Sequence, residues 1–449
     1  MTPGIRNAAI LSIWLTGFLC VSNAVGQSAG NDWPEFRGPF GNGHSTATNL
    51  PVEFDDSTNL KWKRRIPGRA WSSPVVIGNQ IWMTTAIETG DADDAEAPGT
   101  DQPKGQSRSG TKRVDLLAIC LNRQSGGIEH LVDLFVIDDP PVIHSLNSYA
   151  SPTPVTDDDH VYVHFGTFGT AAVARKSGEL VWKTQDYPID HETGPGSSPI
   201  LHNGMLIFHC DGTDQQYIVA LDKQTGEQVW RTDRSGEMHE VGMYKKAFCT
   251  PIVVERDSRK ELISPAANWI YAYDPTTGEE LWKLGYGQLG FSNVARPVIR
   301  DRMLYVCSCY MKSKLMAIDV SGDGPVADED VQWSYARQVP NMSSPIEVDG
   351  YMYFTSDRGI ATCLDAESGD VAWQERLEGE FSASPVYADG KLFFGNRDGR
   401  LYVVRPNPES LEILASNDLD SAIMASPAAV DRSLLVRTEE SLYCFGNSE

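Results

Sequence analysis

The sequence predicts an all-β protein, a β-propeller of eight blades, and three observations carry that prediction. One phrase of eleven residues returns along the chain, a short proline landmark opens eight segments, and the two ends hold complementary parts of one segment. By length alone the 449 residues, 41% of them hydrophobic, would make two or three domains. A closed array of repeats makes them one.

The phrase is clearest in Ala220-Leu221-Asp222-Lys223-Gln224-Thr225-Gly226-Glu227-Gln228-Val229-Trp230, which returns as Ala272-Tyr273-Asp274-Pro275-Thr276-Thr277-Gly278-Glu279-Glu280-Leu281-Trp282. Weaker copies run from Cys363-Leu364-Asp365 through Gly369 to Trp373, and from Ala172 through Gly178 to Trp182. A copy from Ala317-Ile318-Asp319 to Trp333 carries an acidic insertion in its turn, and a degenerate one runs from Cys120 through Gly126 to His130. The pattern is that of a hairpin. A strand ends at Asp222, Asp274 or Asp365, whose carboxylate can bond amides of the following turn. Gly226, Gly278 and Gly369 take the positive-φ position of that turn. Trp230, Trp282 and Trp373 then bury a large ring between neighbouring blades at one fixed place per repeat.

The landmark is a small residue, usually Ser, followed by Pro and an apolar strand. It falls at Ser73-Pro74, Ser151-Pro152, Ser198-Pro199, Thr250-Pro251, Arg296-Pro297, Ser344-Pro345, Ser384-Pro385 and Ser426-Pro427. Each landmark leads into two strands about a turn such as Asp349-Gly350 or Asp389-Gly390. With the two strands of the phrase this gives four antiparallel strands per repeat, at the ~40–50-residue spacing of propeller blades. The last copy, Leu442-Tyr443-Cys444-Phe445, runs out of chain before its Trp strand, whereas Leu60-Lys61-Trp62-Lys63 has the Trp but no phrase before it. The N-terminal strand is therefore expected to close the last blade, which pairs edges that an open array would expose.

The pattern Ala-x-Asp-x-x-Thr-Gly-x-x-x-Trp resembles that of the pyrroloquinoline-quinone (PQQ) repeat superfamily, which includes quinoprotein alcohol dehydrogenases and the propeller subunit of the outer-membrane β-barrel assembly machinery. The resemblance covers residues 62–445 and implies an eight-bladed propeller. Asp32-Trp33-Pro34-Glu35-Phe36-Arg37-Gly38-Pro39, with Gly41 and Gly43, also resembles the opening segment of many exported bacterial members. Such a motif specifies a fold rather than an activity. For a dehydrogenase the resemblance implies bound PQQ, a calcium ion held by acidic and amide side chains, an Asp base, and often a disulfide between adjacent cysteines. No two cysteines here are adjacent, Cys307-Ser308-Cys309 being the nearest approach, and no Asp matches the base. No catalytic residue is assigned.

Outside the repeat, residues 1–24 are expected to be a secretory signal: Arg6, an apolar run over residues 8–21, and the small residues Ser22-Asn23-Ala24 before cleavage. The run is shorter than the ~20 residues of a spanning helix, so no membrane segment is expected after cleavage. Residues 25–58 form an N-terminal extension and residues 59–449 the propeller. Residues 89–112, rich in Asp, Gly, Ser and Pro, are expected to be a mobile loop inserted in the first blade. The net charge of −23 repels phosphate backbones and excludes nucleic acid as a partner. Of the cysteines, Cys120, Cys363 and Cys444 occupy the place of Ala220 and Ala272, and are expected to be small buried thiols rather than disulfides.

The connections that precede the landmarks point towards one mouth of the channel and carry the polar candidates. These are His144, His191, Glu192, His239, Glu240, Lys245, Asn293, Arg296 and Asn341, with a His-Glu pair in two successive blades. Such a set can bind a metal or the carboxylates of a quinone, or it can be a solvated loop rim. No metal is assigned. The expected function is that of an exported, periplasmic or extracellular binding scaffold without cofactor, holding a protein, peptide or glycan. The alternative is a quinoprotein oxidoreductase with a minimal pocket for PQQ and calcium.

Overall fold

The computed structural model describes Met1 and residues 32–90, 110–287 and 290–447. The expected signal segment and most of the expected loop at 89–112 lie outside the described residues. Eight four-stranded antiparallel sheets succeed one another along the chain and form an eight-bladed β-propeller. In blade 1 the order from the channel outwards is Val75–Ile77, Gln80–Gly90, Thr111–Asn122 and Ile128–Asp138. Blade 8 consists of Ala428–Val430, Ser433–Arg437, Ser441–Phe445 and, from the other end of the chain, Leu60–Arg65. That last strand pairs antiparallel with its neighbour from Leu60 opposite Phe445 to Arg65 opposite Ser441. A two-stranded ribbon, Gly290–Phe291 with Tyr310–Met311, stands beside blade 5.

The phrase folds the same way at each recurrence. Ala220 faces Trp230, Ala272 faces Trp282, Cys363 faces Trp373 and Cys444 faces Trp62, so a small residue always lies opposite the large ring. Asp222 accepts the N–H groups of Gln224 and Thr225, both at 2.9 Å, and Asp274 and Asp365 hold their turns in the same manner. The ring then docks on the turn glycine of the next blade. A Cβ on Gly126, Gly226, Gly278 or Gly369 would stand 2.5–2.6 Å from Trp62, Trp182, Trp230 or Trp333 respectively. Several indoles also donate to a carbonyl of that turn, Trp62 to Arg123 at 2.8 Å and Trp182 to Lys223 at 3.0 Å. Blade 5 has the acidic insertion in place of the glycine turn, and there Trp282 donates to the Glu261 carboxylate at 2.7 Å.

The landmark hydroxyls build a second ring, around the axis. The N–H of Ser73 donates to the Thr153 hydroxyl, Thr153 to Ser198, Ser198 to Thr250, Arg296 to Ser344, Ser344 to Ser384, Ser384 to Ser426, and Ser426 back to Ser73, all at 2.9–3.2 Å. The circuit is broken at Arg296, which has no hydroxyl to offer Thr250. It also corrects the second landmark: Thr153-Pro154, not Ser151-Pro152, opens blade 2, because Val155–Thr156 is the strand and Thr153 carries the hydroxyl in register.

Residues 32–58 cross the end of the channel that carries the first hairpin turn of each blade. Trp33 bridges Val76 of blade 1, Pro34 accepts from Thr156 of blade 2, and His44 meets Glu347 and Tyr387 of blades 6 and 7. Thr48 then donates to Asp431 of blade 8, and the chain turns outwards to Leu60–Arg65. The glycines of this segment make room for side chains: Gly38 for the Trp33 ring, Gly41 for the Arg296 guanidinium and Gly43 for that of Arg37. Trp33 and Arg37 are thereby buried in the channel.

Candidate binding surface at the channel mouth

The connections between blades and the second turn of each blade share the opposite face. There His144 accepts the N–H of Leu146 on Nδ1 at 3.2 Å, and its backbone N–H donates to the Thr193 carbonyl in the next connection at 3.3 Å. Burial lowers its pKa, and the positive charges of Lys246 and Arg397 add to the effect. His191 accepts the Thr167 N–H on Nε2 at 3.0 Å, and burial holds it at about 4, so the ring is neutral. Glu192 is exposed and forms an ion pair with the buried Lys246. Across the mouth Arg397 pairs with Glu380 at 3.0 Å, and Asn341 donates to Asp357 at 2.8 Å.

The mouth thus brings together His144, Glu192 and two cations absent from the expected set, Lys246 and Arg397. Lys246 sits beside the apolar run Ala247-Phe248-Cys249, which is the one mark that separates it from Lys245 in the sequence. Arg397 lies on the turn between the second and third strands of blade 7, a class of loop that shares this face with the blade connections.

Other expected residues stand elsewhere. His239 packs edge-on against Tyr244, with ring centroids 4.6 Å apart, and lines a cleft with Trp269 and Lys283 of blade 4's outer strands. The two His-Glu pairs therefore form no single site, because the longer connection carries His239 and Glu240 outwards. Lys245 ends the short 3₁₀ turn Gly242–Tyr244. Asn293 is fully buried and donates to the Ala266 carbonyl at 2.8 Å. Arg296 leaves the mouth altogether, and its guanidinium meets Glu35 at 3.0 Å at the plugged end.

Among the described residues no group of three or more His, Cys, Asp or Glu side chains gathers to hold a metal ion. The residues at the mouth do not fit a calcium–quinone site either. Glu192, Glu380 and Asp357 are engaged by Lys246, Arg397 and Asn341, and Cys307 and Cys309 are buried free thiols. A serine–histidine–aspartate line does occur between blades 3 and 4, with Ser264 Oγ 2.8 Å from His209 Nε2 and His209 Nδ1 3.6 Å from Asp211. Arg234 holds Asp211 through two bonds and all three residues of the line are buried, so the line is a packed network without access for a substrate.

Repeating Asp–Gly–Trp hairpins, eight blades and closure by the N-terminal strand define a β-propeller of the PQQ-repeat class. The PQQ-repeat family model described as outer membrane protein assembly factor BamB matches residues 167–343 and 267–407, more than half of the chain, and the chain belongs to that family. It is 21% identical over 281 residues to the outer membrane protein assembly factor BamB of Moranella endobia, covering 60% of this chain and 65% of that one. It is 27% identical over 161 residues to the 1-butanol dehydrogenase (quinone) of Thauera butanivorans, covering 32% and 23%. The crystal structure of BamB from Moraxella catarrhalis superposes with a TM-score of 0.51 at 14% identity, covering 81% of this chain and 99% of that one, a likeness of fold. The matched region spans between half and two thirds of the length of the first BamB relatives.

Proposed function

We propose that this chain is a non-enzymatic scaffold of the bacterial envelope, exported by residues 1–24 to the periplasm, where it holds an extended segment of a protein partner. The observation that carries the reading is the outer strand of blade 1. Ile128–Asp138 has eleven residues, against five to seven in the other outer strands, and pairs on one side only. Its Ile128, Leu131 and Val136 are 44–50% exposed. A long free edge of this kind adds a strand from another chain through main-chain hydrogen bonds, with alternate side chains giving selectivity. The strand runs on into a cleft of about 440 Å³ lined by Ile137, Phe168, Ile189 and Asp214, which extends the surface towards the His191 side of the mouth. The matches to outer membrane protein assembly factors support a protein as the partner.

Photo-crosslinking in cells tests the reading. A photoreactive residue at Leu131 or Val136 is expected to trap one discrete protein, and the same residue at Ile413 of blade 7 is not. Equal labelling at all three positions counts against the edge. Quinone-dependent dye reduction by purified protein supplied with PQQ and calcium would overturn the non-enzymatic reading.

A further inference from the structure

On the outer strand of blade 1, Ile128–Asp138, the register sorts the side chains onto two faces. Ile128, Leu131, Asp133, Val136 and Asp138 stand opposite Leu121, Ile119, Leu117, Asp115 and Arg113, alternate residues of the neighbouring strand, so all five share one face of the sheet. Leu134 is the extra residue of a bulge and takes no partner, which sets Asp133 and Asp138 four places apart in the register with Val136 midway. The three apolar side chains of this face and both Asp are exposed.

Neither carboxylate is neutralised. Among the described residues no hydrogen bond or ion pair reaches the side chain of Asp133 or Asp138, the strand has no Lys or Arg, and Arg113, opposite Asp138, is taken by Asp115 at 2.8 Å. Carboxylates on other outer strands are paired: Asp233 with Arg231 in blade 3, Glu280 with Lys283 in blade 4, and Glu412 and Asp418 with Arg405 and Arg400 in blade 7. We propose that the segment held at this edge is cationic, with Lys or Arg at two positions four residues apart and an apolar residue midway between them. The inference rests on the docking edge proposed above and adds the chemistry of its partner. Side chains directly opposite on one face of an antiparallel pair lie about 5 Å apart, so the two cations meet Asp133 and Asp138 while the apolar residue covers Val136. A second copy of this chain fits less well. Paired antiparallel through the same strand about Val136, it would set each Asp against a carboxylate, and like charges directly opposite destabilise a sheet.

Calorimetry on the full chain with a capped nine-residue peptide tests the pattern. The peptide has threonine at its odd positions and lysine, valine, lysine, valine at its even ones, and its counterpart has glutamate for lysine. The lysine peptide is expected to bind saturably and at least about tenfold tighter than the glutamate peptide. With Asp133→Lys and Asp138→Lys together, which leave the chain strongly acidic, the preference is expected to reverse. Should that variant fail to fold, Asp133→Asn with Asp138→Asn is expected to erase the preference instead. Undiminished binding of the lysine peptide by a folded variant would assign the attraction to the general negative charge and overturn the proposal. Equal binding of the two peptides would overturn it while leaving the edge as a docking strand. Binding of neither would overturn it too, and photo-crosslinking at Leu131 then decides the edge by itself.

Discussion

His164 lies between blades 2 and 3, with Nδ1 2.8 Å from the Thr170 hydroxyl and its ring 4.3 Å from that of Phe208. Burial, aided by His191, lowers its pKa to about 3. A histidine depressed in the folded state stabilises the fold above its unfolded pKa of ~6.5, and that contribution is lost as pH falls towards the folded value. At pH 5 the loss from His164 alone is about 2 kcal/mol. Urea melts at pH 7.5 and 5 should show stability falling with acid, and His164→Asn should flatten the dependence by a comparable amount. Cysteine is as plainly structural at this scale. All seven cysteines among the described residues are buried and free, and Cys363 and Cys444 stand opposite Trp373 and Trp62. Each should accept Ala at a loss of about 1 kcal/mol, and alkylation of the denatured protein followed by mass spectrometry should find both thiols free. These thiols were legible in the sequence because the repeat supplies a register. His164, singled out by no repeat, was not.

At the scale of the element, the contact that recurs is an indole lying on the next blade's turn glycine. Gly278 has φ +75°, and a methyl there would stand 2.5 Å from the Trp230 ring, whereas Gly390 has φ +69° with open space around it. Gly278→Ala is therefore expected to cost about 3 kcal/mol, strain plus overpacking, and Gly390→Ala about 1 kcal/mol, strain alone. Thermal melts of the two variants separate the contributions. Such hairpins are readable from sequence because each writes its own local contacts: Asp for the turn amides, Gly for the backbone, Trp for the neighbour. The channel mouth has no comparable signature. Lys246 and Arg397 both act on His144, yet they come from blades 4 and 7, and nothing in the sequence spacing relates them. Arg296 misleads for the opposite reason: its backbone obeys the landmark while its side chain serves the N-terminal segment.

For the molecule as a whole, closure rests on Leu60–Arg65. Deleting residues 59–64 removes the outer strand of blade 8 together with Trp62, which covers Gly126 of blade 1. The truncated protein should lose cooperative melting across all blades, not only in blade 8, and an unchanged melting curve would contradict closure as the source of stability. The eight-fold plan was visible from the sequence for the reason that makes it stable, since every blade repeats the same inter-blade contacts. The segment across the channel carries a recognisable motif. Its use of glycines to seat Trp33, Arg296 and Arg37 emerges only when contacts between residues far apart in the chain are in view.

The seam between the two ends also sets a timetable for the growing chain. Lys61, made early, donates to the carbonyl of Arg432, 371 positions later. Until Ser441–Phe445 is available to pair, the early strand has no partner, and residues 32–44 have no finished channel to enter. The entropy of closing so long a loop grows only slowly, about 0.6 kcal/mol for each doubling, so the delay is one of time rather than of stability. Through that interval the first blade and the most recently formed one each present a bare flank to their surroundings. Chains of this protein that have not yet closed the ring should therefore depend on chaperones.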